Sequence, residues 1–154
     1  MWLEELARFA TIVSAMAIVV SAVYASIQIR HNTRAVRASA FQQVIDSFAS
    51  ISFDIARDKA LVEVYLRAGR DYASLSEVER AQYSLMLLSF LRRAENVLFQ
   101  SNTRLLTSEH WSGIRKSIKA ILAPPGARAC WGEIGDRLNP DFRAFVGALI
   151  AEQP

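Results

Sequence analysis

Residues Phe9 to Ile29 run for 21 positions without a charge, reading FATIVSAMAIVVSAVYASIQI between Arg8 and Arg30. No other feature constrains the chain as strongly. At 1.5 Å per residue a helix of this length reaches about 31 Å, the thickness of a bilayer's hydrocarbon core. A soluble core helix of that length keeps polar residues along one face. Here only Ser, Thr, Tyr and Gln interrupt the run. A cleaved secretory leader needs a basic start and an apolar run of about 7–15 residues. This run is longer, and Glu4 and Glu5 precede it. The expectation is a retained transmembrane anchor over residues 1–30, followed by a helical domain over 31–154.

Orientation follows from the basic flanks, because Lys and Arg collect on the cytoplasmic side. The leading flank holds Arg8, whereas the trailing flank holds Arg30, Arg34 and Arg37 with His31 among them. These neck arginines sit where anionic headgroups would meet them. The reading therefore puts the N-terminus outside and residues 30–154 in the cytoplasm. Within the run, Ala10, Ser14, Ala17, Ser21 and Ala25 are spaced by 4, 3, 4 and 4 residues and form one stripe. Small residues let helices approach closely in lipid, where packing takes over from the hydrophobic effect. The stripe nominates a contact with a second copy or with another membrane protein.

About 125 residues follow the run, enough for one domain with one core. Net charge is +3, divided as +1 over residues 1–34, 0 over 35–100 and +2 over 101–154. No dense Lys/Arg run occurs, so nucleic acid is not an expected partner. The single Cys130 has no internal disulfide partner.

Past the neck, Phe41, Val44, Phe48, Ile51 and Ile55 recur at helical spacing, so residues 35–58 read as an amphipathic helix. No Gly or Pro separates it from the anchor. A near-continuous helix is expected, with any bend falling at Asn32-Thr33. Residues 59–69 read as a short helix ended by Gly69. Ser76 and Glu79 form a capping box that opens a helix to about Phe99, apolar nearly all round at its middle. Another helix begins near Thr107 or Ser108, turns Trp111, Ile114, Ile118 and Ile121 to one face, and stops at Pro124-Pro125-Gly126. A short helix over about 127–138 and a last one opened by Asn139-Pro140 complete the set. No segment alternates with period two. The expected fold is all-α, the anchor continuing into a small cytoplasmic helical bundle.

Candidate chemistry is sparse. Arg92, Arg93, Glu95 and Asn96 form the densest polar group on the central helix, and Arg92 and Glu95 can meet three residues apart. One reading makes Glu95 an acid/base or ligand group in a pocket; the favoured one makes the group a structural network. Arg115, Lys116 and Lys119 make a basic patch, read as a solvated helix face. His31, His110 and Cys130 fit no metal-ligand spacing, and no phosphate loop or nucleophile elbow occurs. No cofactor is expected, and the chain leans away from being an enzyme.

Four elements carry a resemblance. They are Gln28-Ile29-Arg30-His31-Asn32-Thr33-Arg34 after the apolar run, Leu91-Arg92-Arg93-Ala94-Glu95-Asn96, the Trp111 helix, and Pro140-Asp141-Phe142-Arg143. In these the chain is similar, over nearly its whole length, to a group of small, uncharacterised bacterial proteins with an N-terminal membrane helix. The resemblance implies bacterial origin, membrane anchoring and a helical domain of unknown function. It implies no activity. With the orientation above, the expected location is a bacterial inner membrane. The functional expectation is a membrane-anchored interaction or scaffold module, with a small-molecule sensor or enzyme built near Glu95 as the alternative.

Overall fold

The structure is a computed structural model that describes residues 1–102 and 108–152. Among the described residues it contains six α-helices, two short 3-10 turns and no strand. The helices are α1 (Trp2–Arg57), α2 (Lys59–Arg70), α3 (Glu77–Asn102), α4 (Ser108–Ile121), α5 (Pro125–Ile134) and α6 (Pro140–Ala151), with the turns at Tyr72–Ser74 and Gly135–Arg137. The chain divides into two compact units, Met1–Ser39 and Ala40–Pro154. That division falls inside α1, nine residues beyond the anchor boundary read from the sequence.

The first unit is helical from Trp2 onward, and its apolar side chains are exposed, Ile18 to 70% and Val20 to 67%. Several of its polar side chains bond one turn back along the helix. Thr11 Oγ1 donates to the Ala7 carbonyl at 2.9 Å, Ser26 Oγ to the Ala22 carbonyl at 2.8 Å, and Gln28 Nε2 to the Tyr24 hydroxyl at 2.8 Å. No break occurs at Asn32-Thr33; Thr33 Oγ1 donates to the Ile29 carbonyl and the helix runs on.

In the second unit the stripe of α1 does what its spacing demands. Val44 is buried, Phe41 and Phe48 pack on the core, and the Phe48 and Phe90 rings meet at 5.0 Å. One residue then separates two helices. Asp58 is extended (φ −112°, ψ 107°), and its Oδ1 accepts from the backbone N–H groups of Ala60 and Leu61, so it caps α2. The end of α2 differs from expectation. Gly69 stays helical and α2 stops at Arg70, because Asp71 leaves the helix and caps the following 3-10 turn through Ala73 and Ser74.

The capping box is formed. Ser76 Oγ accepts from the Glu79 N–H at 3.3 Å and Glu79 Oε2 accepts from the Ser76 N–H at 2.9 Å. From there α3 runs through the core, burying Tyr83, Leu87, Leu91, Ala94 and Val97, and continues to Asn102, three residues past the expected end. The start of α4 at Ser108 agrees with one of the two expected positions; the other, Thr107, lies outside the described residues. Ile114 and Ile118 are buried and Trp111 stacks near Phe145 of α6, ring centres 5.1 Å apart.

Pro124-Pro125-Gly126 ends α4 and also opens α5, which starts at Pro125 rather than near residue 127. Proline suits a first helical turn because that position needs no N–H donor. Gly126 is required there. A Cβ on it would lie 1.7 Å from the Ala68 carbonyl oxygen, so the start of α5 rests backbone to backbone on α2. The expected helix over 127–138 is split, α5 giving way to the tighter turn at Gly135–Arg137. Asn139 then accepts from the Asp141 N–H at 2.9 Å with Pro140 at the first helical position. Phe142, Val146 and Leu149 of α6 close the core.

Candidate functional site

Of the polar group singled out on α3, Arg92 and Glu95 lie where α3 meets the start of α6. Arg92 Nη1 donates to Glu95 Oε2 at 3.1 Å, and its Nη2 donates to the Arg137 carbonyl. The other carboxylate oxygen of Glu95 accepts the backbone N–H of Asn139 at 2.5 Å. Asn139 is the cap of α6, and in a capping box its N–H is met by a carboxylate three residues on. Position 142 is Phe, so Glu95 supplies that carboxylate from another helix. Its charge also faces the positive end of the α6 dipole. Both Glu95 oxygens are thus engaged, and the side chain is only 19% exposed.

Asn96 does not join this junction by a hydrogen bond. Its Oδ1 accepts from Gln100 Nε2 one turn along α3. Beside the junction lies an open cleft of about 650 Å³ whose lining includes Arg92, Glu95, Asn96, Phe99, Asn139 and Asp141. A second recess, about 310 Å³ and mostly apolar, lies between Ile51 and Ile55 of α1, Tyr65 of α2, and Met86 and Phe90 of α3.

A further polar network joins residues scattered along the sequence. The Tyr72 hydroxyl donates to Glu133 Oε2 at 2.9 Å and lies 2.9 Å from Ser84 Oγ. Cys130 Sγ donates to Ser84 Oγ at 3.5 Å. Tyr72 has one proton and gives it to the carboxylate, so Ser84 donates to Tyr72 and Cys130 to Ser84. The chain of donors runs from a fully buried thiol to a surface carboxylate. Burial pushes the Tyr72 phenol from the usual 10 up to about 12, with the adjacent Glu133 acting in the same direction. Burial likewise raises the Cys130 thiol, which keeps it protonated and unreactive. The residues stand 12, 46 and 61 positions apart. The one local signal is that Cys130 and Glu133 are three apart on one helix face.

The remaining sequence candidates are placed as follows. Ala10, Ser14, Ala17, Ser21 and Ala25 lie on α1, all exposed, within about 80° of arc at 100° per residue. Arg30, Arg34 and Arg37 are exposed on α1, and Arg30 Nε donates to the Ser26 carbonyl. The basic patch on α4 is partly neutralised, Arg115 and Lys119 both pairing with Glu152 at the end of α6. The side chain of His110 lies outside the described residues. Among the described residues no group of three His, Cys, Asp or Glu is placed to hold a metal ion.

Comparison with protein families, with curated proteins and with solved structures finds no match in any of the three. The resemblance to membrane-anchored bacterial proteins therefore stands on the four sequence elements alone.

Proposed function

We propose that the chain is a single-pass membrane protein whose helical part is an interaction or scaffold module. The observation that carries the reading is the apolar run of α1. It is long enough to cross a bilayer, and none of its most hydrophobic stretch is buried. Burying apolar surface stabilises by about 25 cal/mol per Å². A helix this apolar and this exposed calls for lipid or other helices around it. Its back-bonded Thr11 and Ser26 suit that setting, where no water is present to satisfy a hydroxyl. Arg30, Arg34 and Arg37 favour an N-terminus outside and a bundle in the cytoplasm, in a membrane of the bacterial inner type.

The mechanism is placement. The anchor concentrates the helical part at the membrane, and the Ala10–Ala25 stripe meets a second copy or another membrane protein. The solvent side of α3 adds exposed apolar side chains, Val78 at 69%, Leu85 at 60% and Phe99 at 66%, spaced by seven and fourteen residues with Arg92 at the position between the last two. These positions share one helix face. Gentle detergent extraction followed by native mass spectrometry tests this. The expected result is a defined homo-oligomer or one reproducible second protein. A bare monomer in every preparation would contradict it.

The cleft beside Glu95 favours a second reading, a small-molecule sensor or enzyme. In that case the same spectrum would hold a monomer carrying a small-molecule mass.

A further inference from the structure

Arg93 differs from its neighbour Arg92 in having no counter-charge. It lies about 100° further round α3 and pairs with no Asp or Glu among the described residues. Its Nη2 reaches Ser50 Oγ of α1 at 3.4 Å, a long bond. Its Nη1 is shut off from solvent and has no acceptor. A guanidinium keeps its charge at any pH a protein experiences and carries five N–H donors. Leaving its Nη1 shut off from solvent without an acceptor is unfavourable, so an acceptor placed beside it would be favoured.

The space for that group is present. Arg93 edges a cavity of about 340 Å³ between α1 and α3, whose other walls are Gln43, Val44, Ser47, Asn96 and Gln100. None of the lining residues is acidic. Ser47 Oγ gives its proton to the Val44 carbonyl at 2.7 Å. Asn96 uses its carbonyl end to accept from Gln100, which leaves its NH₂ end outside that bond. The Gln43 amide brings two more N–H groups. The cavity therefore sets one positive charge beside amide groups that can donate, with Gln100 Oε1, also shut off from solvent, as an acceptor in its wall.

We propose that this cavity binds a small oxyanion, a phosphate or carboxylate group held by Arg93 with the Asn96 and Gln43 amides alongside. The planar fork of a guanidinium matches two oxygens of such a group at once. The site stands on the second unit alone and does not depend on whether residues 9–29 cross a bilayer. The oxyanion can be a free ion or ester, or the phosphate of a lipid headgroup.

The test uses the full chain in an uncharged detergent, titrated with inorganic phosphate and separately with acetate by calorimetry. The chain is also measured in discs of zwitterionic lipid with and without phosphatidylglycerol. One saturable site per chain for either anion, with a raised thermal midpoint, supports a free-ion source. A midpoint raised by phosphatidylglycerol alone supports the headgroup. In either case Arg93→Gln should weaken binding about tenfold or more, since it removes a charge-assisted bond. Lys116→Gln, which removes an equal charge from an exposed position on α4, should leave binding unchanged. If Arg93→Gln fails to fold, Asn96→Leu and Arg93→Lys report on the same site, each with weakened binding. No saturable anion and no lipid effect, or an equal loss in Lys116→Gln, overturns the proposal.

Discussion

Glu79 accepts the Ser76 backbone N–H and pairs with Arg67, and these two contacts, in that order, hold its carboxyl below the usual 4.5. The unfolded chain then binds a proton before the folded one does as pH falls. Glu79 therefore stabilises the fold above pH 4.5, and that contribution is lost as pH drops through the depressed folded value. Glu79→Gln should lower the thermal midpoint at neutral pH and flatten the fall in midpoint below pH 4.5, read by thermal melts across an acid series. Tyr72 carries the opposite sign. Its neutral phenol is favoured by the fold and its pKa is raised from 10 to about 12, so its contribution is complete below 10 and fades toward 12. Tyr72→Phe removes bonds to Ser84 and Glu133 and should cost about 1 kcal/mol. Urea unfolding below pH 10 and near pH 12 checks this, the variant showing a smaller alkaline loss than the parent. Glu79 was legible because a capping box is a local pattern. Tyr72 was not, because hydrogen bonds across 61 residues leave no period in a sequence.

Helix types and faces follow from spacing, and the helix ends that were missed follow from contacts. The stripe Phe41, Val44, Phe48, Ile51, Ile55 and the faces of α4 and α6 were readable from periodicity, since one side of each helix must meet the core. Gly69 was expected to stop α2, but Asp71 stops it by capping the next turn instead. Pro125 was expected only to terminate α4, yet it opens α5, because a proline that cannot continue one helix can begin another. The role of Gly126 is tertiary, a close approach of two backbones. Gly126→Ala should force α5 away from the Ala68 carbonyl and cost roughly 1–3 kcal/mol or more by urea denaturation. Gly132→Ala, where nothing lies within 4 Å of the added carbon, should not. For the stripe on the first part of α1, Ser21→Leu should weaken self-association in a membrane two-hybrid assay. Unchanged association would remove the stripe as a homomeric interface.

For the whole molecule, the sequence separates an apolar run from a mixed-charge remainder, and the structure places helices in both. The Glu95 junction shows where sequence reading reached its limit. The pairing of Arg92 with Glu95 follows from a three-residue spacing, but the role of Glu95 as a cap for α6 needs Asn139, 44 positions away. That no carboxylate among the described residues pairs with Arg93 is likewise visible only in three dimensions. The central claim is that residues 9–29 anchor the chain in a bilayer. Alkaline carbonate extraction of membranes from cells producing the chain tests it most directly. The account expects the protein in the membrane pellet, and in the supernatant when Val13, Ala17 and Val20 are replaced by Arg. Release of the unaltered chain into the carbonate supernatant would contradict it.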